Sequence, residues 1–274
     1  DVYKRQTLSE KAGVPTLPMT NNPKNADKIG FPILVKAAAG GGGKGMRIVR
    51  KQKELKDAIT SAEREAEGGF GDKRVFLERY IAKSRHIEIQ ILGDSHGNII
   101  HLGERECSIQ RRHQKVVEES PSPIIDYDLR NKMGEAAIKM ASLLKYESAG
   151  TVEFLFDEKT KEFWFLEVNT RLQVEHPVTE EVTGIDLVRE QLKIANGDPL
   201  SISQDDVEII GSSIEVRLYS EDPGNDFLPV TGKLIAFDPC EEPLVRWDVG
   251  VESGSEITPN FDPMLAKIIS YGED

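Results

Sequence analysis

Glu167-Val168-Asn169-Thr170-Arg171-Leu172-Gln173-Val174-Glu175-His176-Pro177 leaves an apolar strand and turns polar. The strand, residues 163–168, faces a second strand at 151–156 across the polar turn 157–161. A hairpin centred near Lys159 and Thr160 puts Glu153 opposite or nearly opposite Glu167. Like charges paired across a sheet are destabilising. The pairing makes sense if a divalent cation bridges them. Asn169, two residues beyond Glu167, shares its face. Two carboxylates and an amide oxygen are hard ligands, suited to Mg²⁺ or Mn²⁺ bound with nucleotide phosphates. A solvated hairpin with one charged face fits poorly with flanks as apolar as Phe154, Phe156, Phe163 and Phe165. If the chain stays extended, Arg171, Gln173 and Glu175 share one side. They could hold a small anion and move a proton.

Upstream, residues 31–36 read as a buried strand ending in Lys36, followed by Ala39-Gly40-Gly41-Gly42-Gly43-Lys44-Gly45 and a second strand at 46–49. Glycines let backbone N–H groups approach phosphate oxygens. Gly45 after Lys44 excludes a Walker A loop, and the strand that follows excludes a dinucleotide fingerprint. On its own the loop reads equally as a flexible surface connection. Lys36 supplies a cation where a triphosphate needs one. Ser108-Ile109-Gln110-Arg111-Arg112-His113-Gln114-Lys115 is a basic island. Alone it could be a solvated face or a nucleic-acid patch. Its place between a strand and Val116-Val117-Glu118-Glu119 puts it inside the fold, where it would neutralise anionic groups. His86 at the head of a strand is uninformative alone.

Further strands are expected at 75–80, 86–92 and 99–107, with helices at 51–67, 127–145 and 179–196. Beyond residue 209 the chain is short strands and Gly/Pro turns, so a composition shift falls near 198–210. The pattern is α+β with much antiparallel sheet. A net charge of −12 argues against nucleic acid, and no apolar run approaches the roughly 20 residues of a membrane span. Two cysteines, Cys107 and Cys240, make no disulfide framework and suit a reduced, cytoplasmic setting, mitochondria not excluded.

Lys36 with the glycine loop, Arg85-His86-Ile87-Glu88-Ile89-Gln90, the run from Glu104 to Lys115, the stretch from Glu167 to Thr179, and Glu215-Val216-Arg217-Leu218-Tyr219 occur in one order. Together they closely resemble biotin carboxylase, an ATP-grasp enzyme, from about residue 8 onward. The resemblance implies ATP-dependent carboxylation of carrier-bound biotin by bicarbonate through carboxyphosphate. The cofactors would be ATP, Mg²⁺ or Mn²⁺, and biotin. The partners would be a biotin carboxyl carrier domain, a carboxyltransferase component and a second copy in a homodimer. An acetyl-CoA/propionyl-CoA-type carboxylase is the parent it suggests.

Carried over by position, Lys36, Gly42 and Gly43 match phosphate contacts, and Glu78, Arg79, Tyr80 and Ile81 the adenine-side hinge. His86, Gln110 and His113 match the nucleotide surround, and Glu153, Glu167 and Asn169 the metal site. Lys115, Arg171, Gln173, Val174 and Glu175 match the bicarbonate site, with Glu175 as base, and Arg217 the arginine that steadies the biotin enolate. Period 2 puts Glu215 and Arg217 on one side of their strand, and Ile214, Val216 and Leu218 on the other. The expected division is an ATP-grasp domain at 1–200 and part of a small β-rich C-terminal domain at 201–274. Residues 16–30 are shorter than in the family, and no helix is expected there. The family's N-terminal domain and the Ala-Met-Lys-Met biotinylation motif have no counterpart. The isolated chain is therefore expected to be weakly active or inactive.

Overall fold

The computed structural model describes residues 2–39 and 46–273. The chain opens on helix α1 (Val2–Ala12), closed by Gly13 at φ +66°. A four-stranded antiparallel sheet follows, built from β1 (Met19–Thr20), β2 (Ile33–Ala37), β3 (Arg47–Val49) and β4 (Val75–Arg79) in the order β1-β4-β2-β3. Helices α2 (Ala26–Ile29) and α3 (Leu55–Phe70) bury Ala26, Ile29, Leu55 and Ala62 against Ile33, Val35 and Leu77. The four-residue α2 corrects the expectation that residues 16–30 carry no helix. Asn22 caps the turn before it, its side chain accepting from the Lys24 N–H.

The larger sheet is antiparallel and positions the site. Its strands are β5 (Ser84–Gly93), β6 (Ile99–Arg111), β7 (Gln114–Ser120), β8 (Ser148–Asp157), β9 (Glu162–Asn169) and β10 (Ser212–Tyr219), joined by Val245–Val249 and Met264–Gly272. Starting from Val245–Val249, the order is Met264–Gly272, β10, β7, β6, β5, β8, β9. Strands from beyond residue 200 thus extend the same hydrogen-bonded sheet as β5–β9.

Alternation gives this sheet two unlike faces. Ile87, Ile89, Ile91, Val152, Phe154, Phe156 and Phe165 point to one face and pack on helix α4 (Tyr127–Leu144) through Met133, Ala137 and Met140. Phe154 meets Phe163 and Phe165 edge to face, with centroids 5.4 and 6.3 Å apart. The opposite face carries His86, Glu88, Gln90, Arg105, Thr151 and Glu153. Part of it is covered by α5 (His176–Thr183) and α6 (Leu187–Ala195). One helix over 179–196 was expected. Gly184, at φ +67°, closes α5 in the left-handed conformation, and Asp186 starts α6 by accepting from the Arg189 N–H.

Candidate active site

Three carboxylates form a row across the polar face. Glu88 on β5 pairs with Glu153 on β8, and Glu153 pairs in turn with Glu167 on β9. Arg105 on β6 lies opposite Glu88 on its other side. The next rung reads Gln90, Thr151, Asn169. Glu88 and Arg105 are fully buried, Glu153 is nearly so, and Glu167 is exposed.

Such a row survives only because cations reach it. Arg105 Nε donates to Glu88 Oε1 at 2.7 Å, while its terminal nitrogens donate to Gln90, Thr179, Thr151 and Gln173. Lys115 Nζ donates to Glu88 Oε2 at 2.5 Å, Glu153 Oε1 at 3.2 Å and Glu175 Oε1 at 2.5 Å. Burial works against the charge on Glu88, but Arg105 and Lys115 outweigh it and hold its pKa down to about 2. Burial likewise opposes ionisation of Glu153, and His86, Lys115 and Gln173 reverse that and depress its pKa strongly. His86 Nε2 lies 3.0 Å from Glu153 Oε2. Burial alone would discharge Lys115, yet Glu88, Cys107, Glu175 and Glu153 raise its pKa.

Glu175 closes the network. One of its oxygens takes Lys115, and the other lies 3.1 Å from Arg217 Nη2. Arg217 also donates through Nε to Glu118 Oε1 at 2.7 Å. A nearly buried carboxylate thus sits between two cations beside a patch of opposed glutamates. It can accept a proton from a small acid placed among them, and the cations can hold the anion left behind.

The site residues expected from sequence fall into separate groups. Lys115, Glu153, Gln173, Glu175, His86, Asn169 and Arg217 join one network; Asn169 Nδ2 donates to Glu153 Oε1 at 2.8 Å and Gln173 Nε2 to the same oxygen at 3.1 Å. Lys36 instead pairs with the buried Glu78 at 3.1 Å on the smaller sheet. Arg79 ends β4, and Tyr80 and Ile81 lead from it toward β5, with Tyr80 N–H donating to the Pro32 carbonyl at 3.0 Å. Gly42 and Gly43 lie outside the described residues.

Two expectations need correction. The chain leaves the sheet after Asn169, so Arg171, Gln173 and Glu175 do not alternate along an extended strand. Gln173 and Glu175 turn inward, while Arg171 is exposed and donates to the Leu172 carbonyl. Val174 is half-buried, and its carbonyl accepts from Lys267 Nζ at 3.0 Å. The basic segment is not wholly inside. It is a hairpin whose tip, Arg112 and His113, is exposed with φ of 52° and 67°. Gln110 spends its amide on the Cys107 carbonyl, Arg111 and Arg112 pair with Glu221 and Asp226, and Lys115 reaches Glu88, Glu153 and Glu175. On β10 Glu215 and Ile214 do lie on opposite sides, with Glu215 buried and Ile214 exposed. The polar side of β10 faces the site, so it is the covered side.

The family pattern described as carbamoyl-phosphate synthase L chain, ATP binding domain, matches residues 5–203. The pattern for the biotin carboxylase C-terminal domain matches residues 215–274. The chain belongs to the biotin carboxylase family. Among curated biotin carboxylase relatives, the Nostoc sp. biotin carboxylase is 48% identical over 273 residues, covering 97% of this chain and 61% of that protein. The mitochondrial propionyl-CoA carboxylase alpha chain of Homo sapiens is 50% identical over 284 residues, covering 100% of this chain and 39% of its own length. The chain thus spans about two to three fifths of these relatives. Among solved structures, the Campylobacter jejuni biotin carboxylase–beta-gamma-ATP complex superposes with a TM-score of 0.93 at 44% identity, covering 99% of this chain and 62% of that one. The biotin carboxylase domain of Hydrogenobacter thermophilus 2-oxoglutarate carboxylase, solved with MgADP, ADP and bicarbonate, gives 0.93 at 43% identity, covering 98% and 61%. The ATP-grasp, α+β assignment follows.

Sequence reasoning assigned no role to Glu88, Arg105, Glu118, Glu215 or Lys267, all of which are buried beside the site. The signal was present for Glu88 and Arg105. Glu88 stands between Ile87 and Ile89, and Arg105 stands between Glu104 and Glu106 in a strand that opens on Ile99 and Ile100; a buried strand tolerates such charges only when they are paired.

Proposed function

We propose that the chain is the catalytic centre of a biotin carboxylase, which uses ATP and bicarbonate to carboxylate biotin on a carrier domain. The observation that carries this is Glu175 held between Lys115 and Arg217 beside the Glu153/Glu167 pair. Bicarbonate binds beside Glu175 against Lys115 and Arg217, and Glu175 accepts its proton; the carbonate oxygen then attacks the γ-phosphate as the bond to the β-phosphate oxygen breaks and ADP leaves. Carboxyphosphate breaks down to CO₂ and phosphate, the phosphate takes the N1 proton of biotin, and N1 attacks the CO₂; Arg217 faces the biotin ring and stabilises the negative charge that forms as that proton leaves. Lys36 and the Gly42–Gly43 backbone hold phosphate. Glu78 to Ile81, His86, Gln110 and His113 surround the nucleotide.

The opposed Glu153 and Glu167, with Asn169 one rung away, fit a hard divalent ion: Lys115 and His86 reach Glu153, and an ion between the strands would offset its repulsion with the exposed Glu167 facing it. Glu153, Glu167 and Asn169 would hold it. When bound, Mg²⁺ or Mn²⁺ neutralises phosphate charge.

Residues 1–200 form the ATP-grasp part and 201–274 part of the C-terminal domain, a reading supported by the change of matched family between residues 203 and 215. The final acceptor is an acyl-CoA. In support, the similar propionyl-CoA and methylcrotonoyl-CoA carboxylase alpha chains are 50% and 48% identical. The carrier, a carboxyltransferase and a second copy complete the assembly. The test is ATP cleavage by the full-length protein. Cleavage that requires bicarbonate and rises with free biotin supports the proposal, and cleavage indifferent to both rejects it.

A further inference from the structure

Behind Arg217 the sheet buries a second pair of opposed carboxylates. Glu215 on β10 pairs directly with Glu118 on β7, and both are fully buried. Of their four oxygens, only Glu118 Oε1 receives a hydrogen bond from the described residues, and its donor is Arg217. Among the described residues, Glu118 Oε2 and both oxygens of Glu215 have no hydrogen-bond partner. Lys267 is on the neighbouring strand, but its ammonium is engaged by the Val174 carbonyl and by Asp248, both at 3.0 Å. The residue across from Glu215 on that strand is Ile269. The charged groups that act on the pair are the cations Arg217 and Lys267 and the anions Glu175 and Glu88. Two bare carboxylates facing each other in this setting would repel and leave three acceptors unsatisfied. A single proton between them removes the repulsion and joins two of those three oxygens in one hydrogen bond.

We propose that Glu118 and Glu215 share one proton, and that Glu215 thereby acts as a positioning residue for Arg217. Glu215 donates toward Glu118 Oε2, which leaves Glu118 Oε1 charged and aimed at the guanidinium. Glu215 touches no reacting atom; it acts through Glu118. The catalytic consequence rests on the biotin carboxylase reading, whereas the shared proton does not.

The direction of the titration agrees. Burial pushes Glu118 up to about 7, with Arg217 opposing and Glu175 adding. Burial pushes Glu215 up to about 9, with Lys267 opposing and Glu118 adding. The pair therefore carries one proton at about pH 8 and loses it toward alkaline pH, where the exposed repulsion pulls Glu118 away from Arg217.

Two measurements on the full-length protein test this. Infrared pH-difference spectra of the parent should contain a protonated-carboxyl C=O band at about pH 8 that is missing from Glu215→Gln. Glu215→Leu, which cannot donate, should lower kcat for biotin carboxylation about tenfold while leaving KM for ATP in place. Glu215→Gln, whose amide donates, should recover most of that loss and move the alkaline limb of the profile upward. A parent with no protonated-carboxyl band at about pH 8 overturns the shared proton. Leu and Gln variants whose pH profiles superpose on the parent's overturn the positioning role. If the protein does not cleave ATP in response to biotin, the function fails, and the infrared result still decides the proton.

Discussion

At the scale of single residues, the buried ion row sets the strongest demands. Arg105 is fully buried and compensates Glu88 from one side while Lys115 does so from the other. Removing one member of a buried ion pair leaves a stranded charge, so Arg105→Met should cost about 3–5 kcal/mol in urea unfolding. Replacing Glu88 by Gln in the same chain should return much of it. The pH dependence has a definite sign. The pKa of Glu88 is depressed by folding from the usual carboxylate value near 4.5 to about 2. Its contribution to stability is complete above the unfolded value and is lost as pH falls through that window. Acid titration followed by circular dichroism should show the loss shrink in Glu88→Gln. At the proposed metal site, Glu167→Gln should reduce Mg²⁺-dependent turnover of the full-length enzyme by about tenfold or more. Unchanged turnover and unchanged Mg²⁺ dependence would remove Glu167 from it. The Glu153–Glu167 pairing was legible in sequence to within one residue: the turn sets the pairs from Asp157–Glu162 to Phe154–Phe165, and a register shift between Phe154 and Glu153 brings Glu167 opposite Glu153. Glu215 was not, because its partner Glu118 lies 97 positions away in the chain and nothing local links them.

At the scale of elements, the hairpins were readable and the turns were less so. The β5–β6 hairpin is pinned by Asp94, whose carboxylate accepts from the N–H groups of His96 and Asn98, the Asn98 side chain and the Leu200 N–H. That last bond ties the loop to the linker before β10. Asp94→Ala should cost about 2 kcal/mol by chemical denaturation, whereas a simple exposed turn aspartate would cost well under one. The 108–115 segment misled because Arg112 and His113 are uncommon in a turn needing two positive φ angles, where Asn and Gly are usual. The break between α5 and α6 was missed for a related reason. A glycine inside an amphipathic pattern reads as tolerated until its backbone is seen to be left-handed. The departure of the chain from β9 after Asn169 likewise had no sequence marker, and it decides why Glu175 is buried and Arg171 is not.

At the scale of the molecule, one sheet of eight strands joins segments separated by more than a hundred residues. β10 is sealed on one side by β7 and on the other by Met264–Gly272, so Arg217 and Glu118 come from the two sides of the composition shift near residue 200. The shift in composition was visible in the sequence; the continuity of the sheet across it was not, since strand order is set by long-range pairing. Trp164 on β9 and Trp247 on Val245–Val249 mark opposite edges of this sheet. Single-tryptophan variants, Trp164→Phe and Trp247→Phe, should therefore unfold with coincident urea midpoints by fluorescence. Separate midpoints would mean that the edges unfold independently.

The same continuity puts the proposed base, its two cations and the carboxylate row on one rigid face, so the chemistry can be tested at a single atom. The direct measurement is transfer of label from bicarbonate to free biotin by the full-length protein, comparing the parent with Glu175→Gln. The parent should form labelled carboxybiotin only with Mg-ATP, and the variant should lose at least about a hundredfold in rate while still binding Mg-ATP. Label transfer by Glu175→Gln at the parental rate would contradict the assignment of Glu175 as the base.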